Sequence, residues 1–388
     1  MSVLFLIVFV DLIGFGVVIP LLPYYALHFH ASPLEVTSLM ACYSFAQFFS
    51  SPILGRLSDK LGRKPVLVAS LVCSVCSYIW LGLADALWMI YAARLLAGAG
   101  AGNIAAAQAY ITDITTEDKR AKGMGMIGAA FGLGFTLGPA FGGMLAGDDP
   151  TNAALARPAL AAAFLSGVAL ILTLLLLKES LPAALRGGTR RASRFALARE
   201  AFSRTNLRHV ILLFFWTSIA FAGVETTFAL WATDVFGWGP KQVGWVFFFV
   251  GLVLAAIQGG LIGRLTKRFG ERQVAIGGTI LLTIGLAALP FSFNLPTVLA
   301  VMALLAAGMG LLNPTITSLV SKEAGSTDRG GILGVNQSAQ SLSRILGPLF
   351  AGLVYSAVGR DAPYYGGAII MVAVVVMAMK LPRGEKTV

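Results

Sequence analysis

Residues 55–67 read GRLSDKLGRKPVL and place four cations, one acid and two glycines between long apolar segments. A related stretch, GRLTKRFGERQV, returns at residues 263–274. Gly62 of the first copy and Gly270 of the second are 208 positions apart. A charged connection that recurs in this way suggests that the apolar chain contains an internal duplication.

The composition is that of a membrane protein. The chain has 388 residues, a mean hydropathy of +0.81 and only 12% charged residues, about half the share typical of a soluble domain. Continuous apolar runs of 18 or more residues recur along it, which favours helices that cross the bilayer and disfavours a barrel of alternating strands. Twelve spans are predicted, near 3–27, 35–56, 66–84, 87–112, 122–146, 159–177, 209–235, 242–264, 273–291, 296–320, 331–357 and 363–380.

The cations predict the orientation. If both termini lie in the cytoplasm, 24 of the 29 Lys and Arg residues fall in cytoplasmic connections and the tail, and three fall in outer loops. This bias fits the positive-inside rule. We therefore expect a multi-pass protein of a bacterial-type inner (plasma) membrane, and the net charge of +11 gives no reason to predict nucleic-acid binding.

Further repeated pairs support the duplication. They are Gly98 with Gly308, Arg120 with Arg329, and Gly138-Pro139 with Gly347-Pro348, at offsets of 210, 209 and 209. The sequence thus predicts an all-α protein of two pseudo-symmetric six-helix bundles, 1–178 and 208–388. The basic linker 179–207 between them is expected either to lie on the anionic membrane surface or to be a solvated tether.

The charged and larger polar side chains within the membrane concentrate outside the third, sixth, ninth and twelfth spans. Groups that are costly in hydrocarbon are expected to face a wet cavity or each other. Gln258 in the eighth span fits the same distribution. The residues predicted to line a substrate cavity are Asp11, Gln47, Arg94, Asn103, Gln108, Glu225, Asn313, Asn336, Gln337, Gln340 and Arg344.

Two intramembrane acids are candidates for proton coupling. Asp11 lies about 12 Å along the first span at 1.5 Å per residue, and Glu225 lies in the seventh span. A carboxyl group that alternates between neutral and charged forms can couple proton movement to a substrate; the alternative for Asp11 is a permanent structural pair or a capped helix kink. Arg94 needs a carboxylate or carbonyl partner, and Arg344 is a possible partner for Glu225.

The fifth span is rich in glycine, in the stretch GAAFGLGFTLGPAFGG. Gly134, Gly138 and Gly142 are four apart and share one helix face, which permits close approach of another helix. Pro139 removes a backbone donor and is expected to kink the helix. Gly143 completes the second glycine pair.

Four motifs in order resemble the major facilitator superfamily. GRLSDKLGRKP resembles its signature between helices 2 and 3, and RLLAGAGAG resembles its basic helix-4 motif with Arg94 at the arginine position. GFTLGPAFGG resembles the helix-5 motif of its twelve-span drug:proton antiporters, and DLIGFGVVIPLLP resembles their first helix. The chain is thus similar to bacterial tetracycline and multidrug efflux proteins, although Ser77 stands where the tetracycline exporters carry an acid.

The resemblance implies that the 55–67 loop is a cytoplasmic gating latch. Asp59 would cap the start of the eleventh span, near Gly330. The other residues of this gating motif are Gly55, Gly62, Arg63, Lys64 and Arg120. Lys267 replaces Asp59 in the second copy, so a weaker latch is expected there.

The resemblance also implies a proton-coupled exporter of small lipophilic or cationic compounds that works by alternating access. Its partners would be a small-molecule substrate, protons and membrane lipids, with no cofactor beyond the proton gradient. A proton-coupled sugar or metabolite transporter, a lipid flippase and a sensor on the same fold remain alternatives. An enzyme is not predicted, because the chain has no HExxH or nucleophile-elbow motif. Direct drive by ATP is not expected either, because the phosphate-binding GxxxxGK[ST] motif is absent.

Overall fold

The computed structural model describes residues 2–151, 153–182, 184, 186, 194–324 and 329–381. Helix is the only regular secondary structure among these described residues. An all-helical backbone satisfies its own hydrogen bonds, which a chain crossing lipid requires.

The first half of the chain forms eight helices, several of them joined by tight turns. They are α1 (Ser2–Val18), α2 (Leu22–His28), α3 (Pro33–Leu61), α4 (Arg63–Gly82), α5 (Leu87–Ala99), α6 (Asn103–Ile114), α7 (Glu117–Ala146) and α8 (Ala156–Leu176). A 3₁₀ turn at Ile19–Leu21 joins α1 to α2 next to Pro20. At the start of α3, Ser32 and Glu35 form a reciprocal capping box.

The second half forms a matching series. The helices are α9 (Arg194–Ser203), α10 (Thr205–Phe236), α11 (Pro240–Ala256), α12 (Ile262–Phe269), α13 (Glu271–Ala288), α14 (Leu295–Glu323), α15 (Arg329–Val358) and α16 (Ala362–Met379). A π-helical segment, Ile257–Leu261, joins α11 to α12. Asn294 and Thr297 cap the start of α14 in the same reciprocal way.

Ten helices among the described residues are long and apolar enough to cross a membrane. They occupy ten of the twelve predicted spans. The second predicted span is the continuous 29-residue helix α3, which Ser, Tyr and Gln residues make less apolar. The fourth is divided into α5 and α6 at residues 100–102, where Gly100 and Gly102 weaken helix propensity.

The chain divides into two compact units. The first contains residues 1–190 and 229–248. In it α1 packs against α7 and α8, α3 packs against α5, and α4 packs against α8. A core cluster that includes Leu4, Ile7, Leu67 and Ala107 joins α1, α4 and α6.

The second unit contains residues 191–228 and 249–388. In it α13 packs against α14 and α16, and α15 packs against α16. The short linker helix α9 lies against α15. The helical part of the predicted linker, α9, therefore packs within this unit, whereas Glu179 at the start of the linker contacts α4 of the first unit.

The repeated glycines make the same turn in both copies. Gly62 separates α3 from α4 with φ +109°, and Gly270 separates α12 from α13 with φ +80°. These φ values disfavour any residue with a β-carbon. The internal duplication seen in the sequence therefore reappears as a shared backbone conformation.

Candidate transport site and gating contacts

Asp11 lies on α1 inside the first unit. Only 4% of its surface is exposed. The Ser166 hydroxyl on α8 donates a hydrogen bond of 2.9 Å to its Oδ1 atom. The carboxyl is therefore held between two packed helices and is shielded from bulk water.

The glycine face of α7 allows α1 to pack closely. A β-carbon on Gly138 would lie 2.6 Å from the backbone of Gly16, and one on Gly134 would lie 2.8 Å from the Leu12 side chain. One on Gly142 would overlap the carbonyl oxygen of Val17. The stretch of α1 that follows Asp11 is thus packed directly on this face.

Gly143 serves a different contact. A β-carbon there would lie 2.6 Å from the carbonyl oxygen of Pro240 at the start of α11. Reciprocally, one on Gly244 would overlap the carbonyl oxygen of Pro139. The glycine motif of α7 therefore supports α1 on one face and α11 on another.

An ion pair closes the end of this α7–α11 contact on the predicted outer side. Lys241 Nζ lies 3.1 Å from Asp148 Oδ2, and the Lys241 amide donates to the Gly147 carbonyl oxygen at 3.1 Å. Three residues before Lys241, the Trp238 carbonyl oxygen accepts a hydrogen bond of 3.1 Å from the Tyr24 hydroxyl. We refer to the contacts of Pro139, Gly143, Asp148, Pro240, Lys241 and Gly244 as the α7–α11 crossing.

Arg94 is buried in the same unit, with 3% exposure. Its guanidinium carbon lies 4.6 Å from the ring centroid of Tyr43 on α3, a distance suited to a cation–π contact. Its Nε atom has no hydrogen-bond partner among the described residues. Tyr78 on α4 lies within electrostatic range of both Arg94 and Asp11, so these groups form one interior cluster.

Glu225 and Arg344 both lie in the second unit. Both side chains are accessible, Glu225 on α10 and Arg344 on α15, and the Arg344 charge acts on the Glu225 carboxylate. Asn336 on α15 is 4% exposed, and its Oδ1 has no hydrogen-bond partner among the described residues. This unit therefore holds an acid and a base that face an accessible surface.

The remaining predicted cavity residues are less enclosed. Gln108 and Gln337 are exposed, whereas Gln47, Asn313 and Gln340 are partly buried. Asn103 begins α6, but its side chain lies outside the described residues. Among the described residues, no cluster of three or more His, Cys, Asp or Glu side chains is placed to hold a metal ion.

The 55–67 loop centres on Arg63, which contacts acids on two helices. Arg63 Nη1 lies 2.7 Å from Asp59 Oδ1, and its Nε lies 2.9 Å from Asp113 Oδ2 on α6. The Ser180 hydroxyl also donates to Asp113 Oδ2 at 3.0 Å. Lys64 Nζ donates to the Leu174 carbonyl oxygen at 2.9 Å, so the start of α4 is tied to α3, α6 and α8, and only Gly62 interrupts the helices within residues 55–67.

Glu179 caps α4 from a distant part of the chain. Its carboxylate accepts the backbone N–H groups of Arg63 at 2.8 Å and Lys64 at 3.1 Å, and that of Leu181 at 3.0 Å. Partial burial raises the pKa of this carboxyl, but the backbone hydrogen bonds outweigh burial and hold it below its ordinary value. A β-carbon on Gly62 would overlap this carboxylate.

The expected contact of Asp59 with the start of the eleventh span stays a prediction. Residues 325–328 lie outside the described residues, as do the side chains of Arg329 and Arg120. Gly55, partly buried on α3, likewise keeps only its predicted role.

Sequence reasoning missed the partners of the predicted groups. Ser166 and Tyr43 contact Asp11 and Arg94, yet neither stands out among other small polar or aromatic residues. Glu179 offered a weak signal, because it is one of few acids in a basic connection. Its contact with the 55–67 loop joins residues more than a hundred positions apart and has no local pattern.

Known proteins resemble this chain over nearly its whole length. It is 32% identical over 351 residues to the class C tetracycline resistance protein of Escherichia coli, covering 89% of this chain and 87% of that protein. It is 29% identical over 356 residues to multidrug resistance protein 2 of Bacillus subtilis (strain 168), covering 90% and 86%.

Solved structures share the fold. The crystal structure of the human organic anion transporter MFSD10 (TETRAN) covers 97% of this chain and is itself covered over 98%, with a TM-score of 0.73 and 26% identity. That of the nucleoside transporter NupG, solved as a point mutant, covers 98% of this chain, with 99% of NupG covered. Its TM-score of 0.79 at 14% identity shows the fold alone.

The family assignment rests on the whole chain. The family profile described as Major Facilitator Superfamily matches residues 4–262 and 227–388. The order of helices and the repeated turn at Gly62 and Gly270 agree with it. The chain therefore belongs to the Major Facilitator Superfamily and is a multi-pass membrane transporter, not an enzyme.

Proposed function

We propose that this transporter exports small lipophilic compounds in exchange for protons, by alternating access across the inner membrane of a bacterial-type cell. Both termini would lie in the cytoplasm, as the distribution of cations predicts. Support comes from the likeness to tetracycline and multidrug resistance proteins over about nine tenths of the chain.

The buried carboxyl of Asp11 is the observation that carries proton coupling. A charged carboxylate is costly in a dry helix bundle, and gaining a proton removes that cost. The hydroxyl of Ser166 on α8 donates a hydrogen bond to this carboxyl. Proton binding at this position would change how tightly α1 and α8 are held.

Glu225 is the second coupling candidate. It is accessible and lies near Arg344, so its charge can be balanced when a proton leaves. Asp11 would then respond inside the first unit and Glu225 at an accessible surface of the second.

The test compares the parent with Asp11→Asn in a pump-deficient host. We expect the parent to raise resistance to one or more lipophilic compounds and Asp11→Asn to return resistance to the level of the host alone. Asp85→Asn is the matched control, because Asp85 is an exposed loop residue. Undiminished resistance in Asp11→Asn, with equal membrane expression, would remove Asp11 as the coupling group.

Everted vesicles separate export from the sugar or metabolite alternative. Addition of a substrate to acidified vesicles should make the lumen more alkaline if protons leave in exchange. A symporter would instead carry protons inward with its substrate. Lumenal acidification on addition of the compound would contradict the proposed direction.

A further inference from the structure

The second unit contains a cavity of about 740 Å³ that borders α14, α15 and the π-helical segment. This size lies within the range of small-molecule sites, about 300–1,000 Å³. Its lining consists of Gln258, Asn313, Pro314, Thr317, Ser318, Ser321, Lys322 and Leu333. Six of these eight side chains are polar, and Ser321 and Lys322 lie just past the predicted tenth span, at its cytoplasmic end.

Two interruptions of helix geometry meet at this cavity. Gln258 belongs to the π-helical segment Ile257–Leu261, and Pro314 stands inside α14 directly after Asn313. Proline cannot donate the i to i−4 hydrogen bond, and π segments in helices are frequent at functional sites. Irregular backbone at membrane depth is tolerated where it is buried in protein or lines a hydrated cavity. Both irregular segments place an amide side chain in the lining.

The lining offers several hydrogen bonds to a ligand. The Thr317 hydroxyl already donates to the Asn313 carbonyl oxygen at 2.8 Å, and the Ser318 hydroxyl donates to Glu271 Oε1 at 2.6 Å. Their oxygens can therefore only accept from a ligand. The amides of Gln258 and Asn313 can both donate and accept.

The charge of the lining favours one class of ligand. Lys322 is the one charged residue among the described residues that line the cavity. Its Nζ lies 2.8 Å from Glu271 Oε1, and its side chain is 67% exposed, against 18% for Glu271. Because Lys322 and Ser318 both engage that carboxylate, a cation would find no free acid here.

We propose that this cavity binds the polar head of the transported molecule, and that this head is uncharged or anionic. The proposal rests on the proposed export function and narrows its substrates to amphipathic molecules whose polar group carries no positive charge. The amides would hydrogen-bond the head group, and the exposed ammonium of Lys322 would attract negative charge at the rim.

Two dyes with the same xanthene ring system test this proposal by binding. The full-length protein in lipid nanodiscs is titrated, without a proton gradient, with anionic carboxyfluorescein or cationic rhodamine 123, and fluorescence anisotropy gives each Kd. We expect the parent to bind carboxyfluorescein more tightly. Gln258→Leu and Lys322→Met should each weaken it about tenfold, the usual effect of losing a hydrogen bond to a charged group, and Lys322→Arg should retain it.

Matched controls are Gln273→Leu and Lys380→Met, which change exposed residues outside the lining. Both should bind as the parent does. Should Gln258→Leu fail to fold, the exposed Lys322 variants decide the result. Tighter binding of rhodamine 123 by the parent, no binding of either dye, or unchanged affinity in Lys322→Met would overturn the proposal. Because this assay measures binding without a proton gradient, its outcome does not depend on whether Asp11→Asn abolishes proton-coupled export, and the two proposals can fail independently.

Discussion

At the scale of single residues, Glu179 is held charged by its backbone contacts. Partial burial raises its pKa, but the hydrogen bonds from the N–H groups of Leu181, Arg63 and Lys64 together lower the pKa by more, so the net shift is downward. A carboxyl whose pKa is lowered on folding stabilises the folded protein at pH values above its unfolded-state pKa, which is about 4.3 for Glu. That contribution disappears as the pH falls through the folded-state pKa.

Glu179→Ala should lower the free energy of unfolding by about 1 kcal/mol at neutral pH, the usual cost of losing a helix N-terminal cap. The difference from the parent should shrink below about pH 4.3, as Glu179 becomes protonated. Thermal unfolding of the purified protein across this pH range measures it. Glu200→Ala is the control, because Glu200 on α9 forms an exposed pair with Arg204, and such a pair contributes little to stability. A pH-independent difference would exclude the electrostatic assignment.

The repeated turns provide a second residue-scale prediction. Gly62→Ala and Gly270→Ala both place a β-carbon at positive φ, which costs about 1–2 kcal/mol. At Gly62 the new carbon also overlaps Glu179, whereas at Gly270 nothing lies within 4 Å. Gly62→Ala should therefore destabilise the protein more in a thermal unfolding assay. Combining it with Glu179→Ala should bring its cost near that of Gly270→Ala, and a persisting excess would argue against the overlap.

At the scale of elements, the close contact of α1 with α7 depends on glycines, which have no side chain to separate the two helices. Gly138→Ala would place a β-carbon 2.6 Å from the Gly16 backbone, which cannot rotate away. We expect it to cost about 1–3 kcal/mol, the range for overpacking. Gly132→Ala on the same helix meets nothing within 4 Å and should be neutral or stabilising, because alanine favours helix. Equal unfolding temperatures for the two variants would contradict close packing at Gly138.

The helices themselves were largely predictable from sequence, and their contacts were not. Apolar runs report burial in lipid residue by residue, so eleven of the twelve predicted spans coincide with a helix or with helical segments joined end to end. The division between α5 and α6 could have been predicted only from the combined effect of Gly100 and Gly102 on helix propensity. The π-helical segment at Ile257–Leu261 has no comparable signal in the local sequence. Glu179 and Ser166 act through contacts with distant residues, which one sequence does not encode as a pattern.

At the scale of the whole molecule, the duplication preserves turns and glycine contacts but not charges. Gly138 meets α1, and a β-carbon on its counterpart Gly347 would lie 2.7 Å from Ala222 on α10. Asp59, however, pairs with Arg63 in the first copy, whereas Lys267 stands at the corresponding position of the second. Any gating role of the charged loops would therefore fall mainly on the first copy.

Alternating access requires contacts on the predicted outer side to part during transport. The α7–α11 crossing is the candidate, because the Asp148–Lys241 pair and the Lys241–Gly147 hydrogen bond close its end. The backbone hydrogen bond from Lys241 to Gly147 joins these two segments, so cysteines introduced at positions 148 and 241 test whether the crossing opens. The background for this experiment replaces the native cysteines with serine, at Cys42, Cys73 and Cys76.

Oxidation of Asp148→Cys/Lys241→Cys should block substrate-induced proton release in everted vesicles, and a reductant should restore it. The reason is that a covalent bond at the crossing prevents α7 and α11 from separating, while leaving Asp11 and the cavity of the second unit unaltered. Each single-cysteine variant, treated with the same oxidant, should keep its activity and so controls for oxidation itself. Full transport by a completely cross-linked protein would mean that the crossing stays closed throughout the cycle, and the opening would then have to be sought elsewhere.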